Sequence, residues 1–314
     1  MKTVPLGKTG VEVSTICLGT MYFGNRDSKS LSYRLLDQYA NVGGAFLDTA
    51  NIYSFWIPNC AGGESEMLIG DWLRERRNRN QLFIATKMGF AYPGVEKGLR
   101  ASQIELECEK SLKRLGTDVI DLYYAHGDDR TIPIEETMTA FDRLVKAGKV
   151  RFLGASNFRA WRLQEANLKS QLNGWVEYSC VQQRYSFVRP KPSAVFEYSQ
   201  VAANDDLLDY CQSASVTLLA YSVLLNGAYT RSDRAFPTQY LGLDTDVRLS
   251  TLKTIAVELS TTINQVIIAW LLQSDNPIIP VIGASSSEQL SESLSALSLN
   301  LNQEQIERLN NASA

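Results

Sequence analysis

The sequence predicts an α/β fold, a (β/α)8 TIM barrel with an N-terminal β-hairpin and long loops at the carboxyl-terminal face of its strands. Short β-branched and apolar runs alternate with longer stretches of helical periodicity, which is typical of βα units around a parallel sheet. The alternation occurs eight times, which favours a closed barrel over the main alternative, an open doubly wound sheet. Because no Pro/Ser-rich linker interrupts the pattern, we expect a single domain over residues 1–314.

The strands are the short apolar runs, and the helices are the amphipathic stretches between them. The predicted strands are, in order, 15–18, 45–48, 82–86, 120–125, 152–155, 180–182, 218–221 and 278–282. The predicted helices are 30–41, 64–76, 102–115, 134–147, 160–170, 205–213, 264–273 and 287–297. Ahead of the first strand, the apolar runs 4–6 and 11–14 flank the turn 7–10, which predicts a hairpin that plugs one end of the barrel.

Helix ends and long loops complete the pattern. Gly116 and Gly148 stand where helices should end, because glycine readily adopts the left-handed conformation found there. The loops after Tyr53, Lys87 and Tyr221 are long, and the longest spans 226–246. Loops of more than about a dozen residues in a compact domain are usually functional.

Composition and charge exclude several classes of protein. Apolar residues make up 45% and charged residues 21% of the 314 residues, so neither disorder nor a membrane protein is indicated. The formal net charge is −3, and the one basic segment, 74–79, is better interpreted as a solvated helix end. We therefore expect no nucleic-acid partner, because phosphate binding needs a clustered basic face.

Cysteine usage and the N-terminus predict a cytoplasmic protein. The five cysteines are far apart, with no pair at metal-ligand spacing, which favours reduced thiols over disulfides. No apolar run is long enough for a signal peptide or a bilayer-spanning helix, so we expect no membrane partner. The sequence predicts no particular oligomeric state.

Polar side chains follow the ends of several predicted strands. Asp48, Lys87 and His126, the chain's single histidine, end or follow three of them. The ends of three further strands carry Ser156, Asn157, Gln182 and Tyr221. Because the carboxyl ends of the strands meet at one face of a (β/α)8 barrel, we expect these side chains to lie close together.

The motifs around these residues resemble those of the aldo-keto reductase family. They occur in the family's order over nearly the whole chain: Leu18-Gly-Thr-Met21, Leu47-Asp-Thr-Ala-x-x-Tyr53, Gly63-Glu-Ser-Glu66, Ala85-Thr-Lys87, Ser111-Leu-x-Arg-Leu-Gly116, Asp121-Leu-Tyr-Tyr-x-His126, Gly148-Lys-Val-Arg151, Gly154-x-Ser-Asn157, Val181-Gln182 and Ala220-Tyr-Ser222. One motif alone is weak evidence, whereas the ordered set is strong. The resemblance implies a barrel that transfers hydride reversibly between a nicotinamide, NADP(H) or NAD(H), and a small carbonyl or alcohol substrate.

The resemblance implies catalytic roles for Tyr53, Lys87, Asp48 and His126, and the chemistry agrees. Reduction of a carbonyl at neutral pH needs a proton on oxygen, which Tyr53 would donate. A free phenol has a pKa of about 10, and the Lys87 ammonium would lower it. Asp48 would hold Lys87 in its charged form, while a neutral His126 would donate a hydrogen bond to the substrate oxygen. Singly, each residue also has a structural interpretation, but the four together favour catalysis.

Contacts to the cofactor are also implied by the resemblance. Ser156, Asn157 and Gln182 would hydrogen-bond the nicotinamide carboxamide, and Tyr221 would stack on its ring. The remaining contacts would come from Thr20, Met21 and Asp48 near the nicotinamide, Ser222 and Leu224 at the pyrophosphate, and Gly283, Ser285, Gln289, Glu292 and Ser293 at the adenosine end. Val223 stands where the family often has proline, which predicts a less rigid pyrophosphate loop.

The adenosine end departs from the family in its charge. Many members have lysine or arginine at the site of the 2′-phosphate, whereas this chain has neither from 276 through 307. Hydroxyls and helix N-terminal amides compensate only partly for a missing cation. We therefore predict relaxed specificity or a lean toward NAD, with Arg231 or Arg234 of the long loop as alternative phosphate ligands.

The substrate pocket is predicted from residues near the catalytic ones. Phe55 and Trp56 follow Tyr53, and Asp128 follows His126, so these five residues should line the pocket. Aromatic rings beside carboxylates would suit hydroxyl-rich substrates such as sugars. A solvated acidic turn is an equal alternative for the segment that carries Asp128.

Other functions compete with the reductase. A non-enzymatic nicotinamide-binding regulatory barrel is the principal alternative, because a sensor does not require the catalytic set. No metal site is predicted, since a single histidine cannot form a histidine-rich centre. Neither a Gly-x-Ser-x-Gly elbow nor a phosphate-binding Gly-rich Lys motif is present.

Overall fold

Eight parallel strands close into a barrel in the computed structural model of the chain, which describes residues 1–274 and 278–313. Each barrel strand pairs with its neighbours in sequence, and the last pairs with the first. The hairpin strands are β1 (Thr3–Pro5) and β2 (Glu12–Ser14), and the barrel strands are β3 (Cys17–Gly19), β4 (Phe46–Asp48), β5 (Phe83–Met88), β6 (Ile120–Ala125), β7 (Val150–Ser156), β8 (Tyr178–Arg184), β9 (Thr217–Tyr221) and β10 (Ile279–Ile282). The predicted fold is confirmed, and the single domain over 1–314 stays a prediction.

The barrel strands form where the sequence is apolar on both faces. β5 and β6 are buried along their whole length, because one face of each points into the barrel and the other lies under helices. Phe46, Phe83 and Leu122 belong to the cluster inside the barrel. Ile84 and Tyr123 belong to the larger cluster between the strands and the surrounding helices. The alternation along each strand thus builds two cores.

Helices surround the barrel and connect its strands. In the described residues they are α1 (Lys29–Asn41), α2 (Glu64–Arg76), α3 (Ala101–Leu115), α4 (Ile134–Lys146), α5 (Ala160–Asn173), α6 (Asp205–Ala214), α7 (Leu243–Glu258), α8 (Ile263–Leu272), α9 (Ser287–Ser295) and α10 (Gln303–Asn310). Most were predicted to within a few residues of their ends. Gly116 ends α3 in the left-handed conformation, with φ of 64°, as its position in the sequence predicts.

Two helices, α7 and α10, were not predicted. α7 begins at Leu243, so the loop predicted to span 226–246 ends earlier than expected. Apolar Leu243 and Val257 of this helix are exposed while Arg248 is buried, so its sequence lacks a clear apolar stripe. α10 has eight residues and buries little apolar surface. Its one sequence signal is the capping box of Asn302 and Gln305.

The N-terminal hairpin closes one end of the barrel. Leu6 and Val13 are buried in the same cluster as the inward-facing barrel residues. Gly7 adopts a left-handed φ of 52°, and a Cβ placed there would lie 2.3 Å from the carbonyl oxygen of Ser179. The Gly7 N–H donates a 2.7 Å hydrogen bond to Thr217 Oγ1. The opposite end of the barrel, where the carboxyl ends of the strands lie, is therefore the end at which a functional site can form.

No single helix of the described residues is long and apolar enough to cross a membrane. One consecutive pair, α7 and α8, meets the length and composition criteria together, and its two helices are bent by 97° relative to each other.

Replacing Leu6 by alanine tests how much the hairpin plug stabilises the barrel. We expect Leu6→Ala to lower the free energy of unfolding by about 2–5 kcal/mol, because it leaves a cavity in a closed core. Urea unfolding followed by circular dichroism measures the change. Val257→Ala, at a side chain that is 79% exposed, is the control and should change stability by less than about 0.5 kcal/mol. Equal effects would contradict the packing of the hairpin.

Candidate active site

The Lys87 ammonium lies at the centre of a buried polar cluster at the carboxyl-terminal end of the barrel strands. Lys87 is on β5, and none of its surface is exposed. Its Nζ donates hydrogen bonds to Asp48 Oδ2 at 2.5 Å, to the Thr49 carbonyl oxygen at 2.8 Å and to Tyr53 Oη at 2.9 Å. An ammonium has three protons, so every donor has a partner and a carboxylate offsets the buried charge.

Asp48, at the end of β4, joins the cluster to β8. While Oδ2 accepts from Lys87, Oδ1 accepts a 2.8 Å hydrogen bond from Gln182 Nε2. Burial lowers the pKa of Lys87, but the facing Asp48 carboxylate and the Tyr53 phenol raise it, and the net pKa lies above its usual value. Lys87 is therefore charged at neutral pH. The ends of β4, β5 and β8 therefore lie close together, as the sequence predicts.

Tyr53 reaches Lys87 from the loop after β4. Backbone hydrogen bonds from Asn51 N to Lys87 O and from Gly63 N to Tyr53 O hold the loop in place. Burial raises the pKa of the Tyr53 phenol and the Lys87 ammonium opposes that effect, with a net pKa above the usual value. The expected influence of Lys87 is present, but desolvation outweighs it because the phenol oxygen lies in a dry environment.

His126 follows β6 and faces the same cluster. Its backbone N–H donates to Met88 O, which fixes the start of the loop. The centroid of its ring lies 6.1 Å from that of Tyr53 and 4.6 Å from that of Phe90. Burial, and then the Lys87 ammonium, lowers the pKa of His126 well below its usual value, so the imidazole is neutral. Its Nδ1 is buried without a hydrogen-bond partner among the described residues.

Asn157 organises the ends of β7 and β9. Its Nδ2 donates to His126 O at 2.9 Å and to Ser156 Oγ at 3.2 Å. Its Oδ1 accepts from Tyr221 Oη at 2.7 Å and from Val201 N at 3.2 Å. A carboxamide has two donor hydrogens and two acceptor lone pairs, so its capacity is used within the protein. Asn157 can contact a ligand only by exchanging one of these bonds.

The segment after β9 is a tight turn with several left-handed residues. Left-handed φ values occur at Ser222, Leu225, Asn226 and Gly227. The Leu225 and Gly227 N–H groups donate to the carbonyl oxygens of Ser222 and Leu224, which closes two successive turns around Leu224. Val223 is buried, and its carbonyl oxygen accepts a 2.5 Å hydrogen bond from Ser186 Oγ. This hydrogen bond anchors the loop at the position where the family often has proline, and the lower rigidity expected there stays a prediction.

Thr20 and Met21 follow β3 beside the cluster. Thr20 is fully buried, and its hydroxyl donates to the Asp48 carbonyl oxygen at 2.9 Å. The same hydroxyl lies 2.8 Å from Ser65 Oγ. Thr20 therefore links α2 to the end of β4. Met21 is half-buried, so it is more accessible than Thr20.

The predicted adenosine end lies between β10 and α9. Gly283, Ser285 and Gln289 are exposed, and Gln289 Oε1 accepts from both the N–H and the hydroxyl of Ser285 at 2.9 Å. The Glu292 carboxylate accepts a 3.3 Å hydrogen bond from Asn264 Nδ2. Ser293 is buried, so its hydroxyl is the least accessible of the predicted contacts.

Cations near the adenosine end differ from those expected. Arg231, a predicted alternative phosphate ligand, forms a two-point salt bridge with Asp233 and is thereby occupied. Arg234 is exposed on the same loop. Exposed Arg34 of α1 lies close enough to Glu288 at the start of α9 to help lower the pKa of that carboxyl, after hydrogen bonds from the Glu288 backbone and the Ser286 side chain. In the segment 276–307, residues 276 and 277 lie outside the described residues.

A cleft of about 380 Å³ opens beside His126. The loops after β5, β6, β7 and β8 form it, and Phe90, Gly127, Asn157 and Phe196 are among its lining residues. The predicted cofactor loops after β3, β9 and β10 lie on the other side of the barrel mouth. The cleft has the volume of a small-molecule site. Tyr53 and His126 are not among its lining residues, and the cleft is next to them through Phe90, whose ring contacts that of His126.

Asp128 lines this cleft, and its carboxylate is paired with two arginines. Arg130 Nε and Arg162 Nε donate to its two oxygens at 2.9 Å and 3.1 Å. Asp129 is occupied too, since it accepts from the backbone N–H groups of Leu99 and Thr131. Both carboxylates therefore have donors within the protein, and hydroxyl recognition by them stays a prediction.

Phe55 and Trp56 lie beside Tyr53 rather than among the residues that line the cleft. The ring centroids of Tyr53 and Trp56 are 6.3 Å apart in an edge-to-face arrangement, and those of Phe55 and Trp56 are 5.3 Å apart. Trp56 is 38% exposed, so an aromatic surface is open to solvent next to the phenol.

Comparison with known proteins decides the family of this barrel. The model for the aldo/keto reductase family matches residues 15–314. The chain belongs to the aldo/keto reductase family. It is therefore an NAD(P)H-dependent oxidoreductase that reduces carbonyl compounds.

Similar proteins include fungal enzymes and a solved reductase. Norsolorinic acid reductase A of Aspergillus parasiticus is 32% identical over 96% of this chain and 78% of its own length. An aryl-alcohol dehydrogenase of Pestalotiopsis microspora is 29% identical over 95% of this chain and 78% of its own length. The crystal structure of the thermostable aldo-keto reductase Tm1743 with the inhibitor epalrestat covers 100% of both chains, with 31% identity and a TM-score of 0.78.

One feature of this aldo/keto reductase site was missed in the sequence: the loop between β8 and α6, residues 185–204. It contributes Phe196 to the cleft and Gln200, whose Oε1 accepts 2.7 Å and 3.1 Å hydrogen bonds from Arg184. The Arg184 guanidinium lies 4.6 Å from the Phe196 ring centroid and 5.7 Å from that of Tyr221. The signal available in the sequence was the length of this segment without a predicted element.

The neutral, buried His126 predicts a pH dependence of stability. Its pKa is lowered in the folded state, so below about 6.5 the unfolded chain binds a proton that the folded chain does not. Stability should therefore fall as pH decreases below that value, by up to about 1.4 kcal/mol per pH unit. Urea unfolding at pH 7.5, 6.0 and 5.5 measures the slope, and His126→Gln should remove most of it. Since the chain has one histidine, an unchanged slope in that variant would contradict the assignment.

Proposed function

We propose that Tyr53 is the general acid and base of this reductase, with Lys87 and Asp48 setting its proton affinity and His126 orienting the substrate carbonyl. The observation that carries the proposal is the position of Lys87 Nζ, which donates to both Asp48 Oδ2 and Tyr53 Oη. A phenol that must lose and regain a proton needs its anion stabilised. A buried ammonium 2.9 Å away supplies that stabilisation in a site of low dielectric.

In the reductive direction, Tyr53 donates its proton to the carbonyl oxygen as carbon is reduced. The resulting phenolate is stabilised by Lys87, whose own charge is held by Asp48. Since His126 is neutral and its ring faces Tyr53, it can donate one hydrogen bond to the same oxygen without delivering a proton. Two donors aimed at one oxygen fix the position of the carbonyl carbon. In the oxidative direction each transfer reverses.

The residues of the barrel mouth fit a nicotinamide dinucleotide. When bound, the reduced nicotinamide supplies the hydride. The half-buried Tyr221 offers an aromatic face, and Ser156 and Gln182 supply the hydroxyl and amide groups that a carboxamide needs. The left-handed turns after Ser222 suit a pyrophosphate at Leu224, and the β10–α9 segment suits a ribose. Asn157 would join by giving up one of its internal hydrogen bonds.

We propose that the dinucleotide preference is relaxed or leans toward NAD(H). The exposed residues predicted as contacts at the start of α9 are Gly283, Ser285 and Gln289, none of which is charged, and the charged residue exposed beside them, Glu288, is negative. Arg231 is held by Asp233, so it is not free to bind a phosphate. Arg34 is the nearby cation most able to favour binding of NADP(H), but its positive charge also acts on the Glu288 carboxylate. A lone exposed guanidinium contributes modestly.

Aldehydes and ketones with an apolar body are the proposed substrates. Phe90 of the cleft lies against His126, and Trp56 lies against Tyr53, so aromatic surfaces flank the reacting position. Aryl-alcohol dehydrogenase and norsolorinic acid reductases are among the similar proteins, which supports aromatic carbonyls over sugars. The paired state of Asp128 also weighs against polyols.

Replacing Tyr53 by phenylalanine tests the proposed general acid. Tyr53→Phe removes only the hydroxyl, so we expect kcat for an aromatic aldehyde to fall by about 10²–10⁴-fold. The dissociation constant of the dinucleotide, from fluorescence titration, should change by less than twofold in this variant. Tyr210→Phe, on the outer helix α6, is the matched control and should keep full turnover. A Tyr53→Phe enzyme with normal kcat would favour a regulatory barrel or another proton donor.

The dinucleotide preference is tested by binding. Fluorescence titration should give dissociation constants for NADP(H) and NAD(H) that differ by less than about tenfold, or about 1.4 kcal/mol. Ser285→Arg should tighten NADPH binding by about tenfold and leave NADH nearly unchanged, because a guanidinium pairs with the 2′-phosphate. Ser285→Gln is the neutral control. If wild-type protein binds NADP(H) more than tenfold tighter than NAD(H), the proposed relaxation is wrong.

A further inference from the structure

The cleft beside His126 has a charge opposite to that of the whole chain. Three cationic side chains, Lys97, Arg130 and Arg159, line it with one carboxylate, Asp128, which leaves a balance of +2. The chain as a whole carries −3. A concave wall concentrates the field of its charges, so a ligand entering here meets a positive potential.

Two of these cations form no salt bridge among the described residues. Asp128 is paired with Arg130 and with the deeper Arg162. In the part of the chain that is described, residues 1–274 and 278–313, neither Lys97 nor Arg159 lies within salt-bridge distance of a carboxylate. Both side chains belong to exposed residues at the rim, one from the loop after β5 and one from the loop after β7. They are therefore available to an incoming anion.

The start of α5 adds to the same potential. Arg159 is the residue that precedes this 14-residue helix, and no side chain caps the first turn. Unpaired N–H groups at a helix start carry partial positive charge. The helix start strengthens the effect of the cationic side chains beside it.

The rest of the lining is largely apolar. Phe90 comes from the loop after β5, and the loop after β8 contributes Ala194, Val195, Phe196 and Val201. Val195 is 81% exposed, which leaves apolar surface open at the rim. A ligand that matches this lining must present both an apolar body and a negative charge.

We propose that the cleft binds carbonyl substrates that carry a carboxylate on an aromatic body. The ring lies against Phe90 and Phe196, and the carboxylate lies between Lys97 and Arg159. A volume of about 380 Å³ accommodates one or two fused rings. This inference rests on the proposed function, because the carbonyl must extend past Phe90 and His126 to reach Tyr53 while the carboxylate stays at the rim.

Binding of a ligand that cannot be reduced tests the inference separately from catalysis. Isothermal titration of the full chain compares 2-naphthoate with neutral 2-naphthamide. The variant Lys97→Gln/Arg159→Gln removes two positive charges from the cleft, and Lys8→Gln/Lys253→Gln removes two from exposed positions outside it. We expect the cleft variant to weaken naphthoate binding by about tenfold and amide binding by less than twofold. The control variant should change neither, and added salt should weaken only the naphthoate.

Equal effects on naphthoate and naphthamide, or equal effects of the two variants, would overturn the inference. Turnover then tests the proposed function alone, with 4-carboxybenzaldehyde and its methyl ester as substrates. The cleft variant should raise KM for the acid by a larger factor than KM for the methyl ester. If neither aldehyde is reduced by wild-type protein, the proposed function fails, while the binding result still decides whether the cleft selects anions.

Discussion

A positive charge buried inside the barrel is the constraint on which the rest of the site depends. Lys87 has no exposed surface, so its ammonium needs a partner for every proton and a carboxylate for its charge. Asp48, the Thr49 carbonyl and Tyr53 supply those partners, and all three come from β4 or the loop after it. Removing one partner of such a pair costs about 3–5 kcal/mol, because it strands the other charge. The same arrangement that keeps Lys87 charged also presents it to the phenol.

The carboxyl-terminal face of the barrel has two regions with different side chains. Polar backbone and hydroxyl groups gather after β3, β9 and β10, where a dinucleotide would lie, and Val223 is anchored there by Ser186. The loops after β5 to β8 enclose a cleft with apolar and cationic walls. His126 and Asn157 lie at the boundary, joined by a 2.9 Å hydrogen bond between the Asn157 amide and the His126 carbonyl. Changes in the cleft loops can therefore alter selectivity while the Lys87 cluster stays fixed.

Sequence and structure agree most closely where local pattern and tertiary packing demand the same residues. β6 was predicted at both ends, because a run of buried apolar residues stops at a polar one. α7 was missed, because apolar Leu243 and Val257 face solvent while Arg248 is buried against the loop that carries Phe187. The family resemblance identified Asp48, Tyr53, Lys87 and His126 as one set. It did not reveal that the hydrogen bonds of Asn157 are used internally or that Arg130 and Arg162 neutralise Asp128.

The sequence by itself determined the barrel and the order of its strands, because strand and helix periodicities are local and parallel strand ends must converge. The family resemblance in the sequence implied the set of four residues at the barrel mouth. Only the tertiary structure decided the charge state of those residues and the character of the cleft. Burial raises the pKa of Tyr53 and lowers that of His126, and burial depends on which distant segments cover a side chain. The pairing of cations and carboxylates likewise depends on which loops contact each other. The spacing of residues along the chain does not determine those contacts.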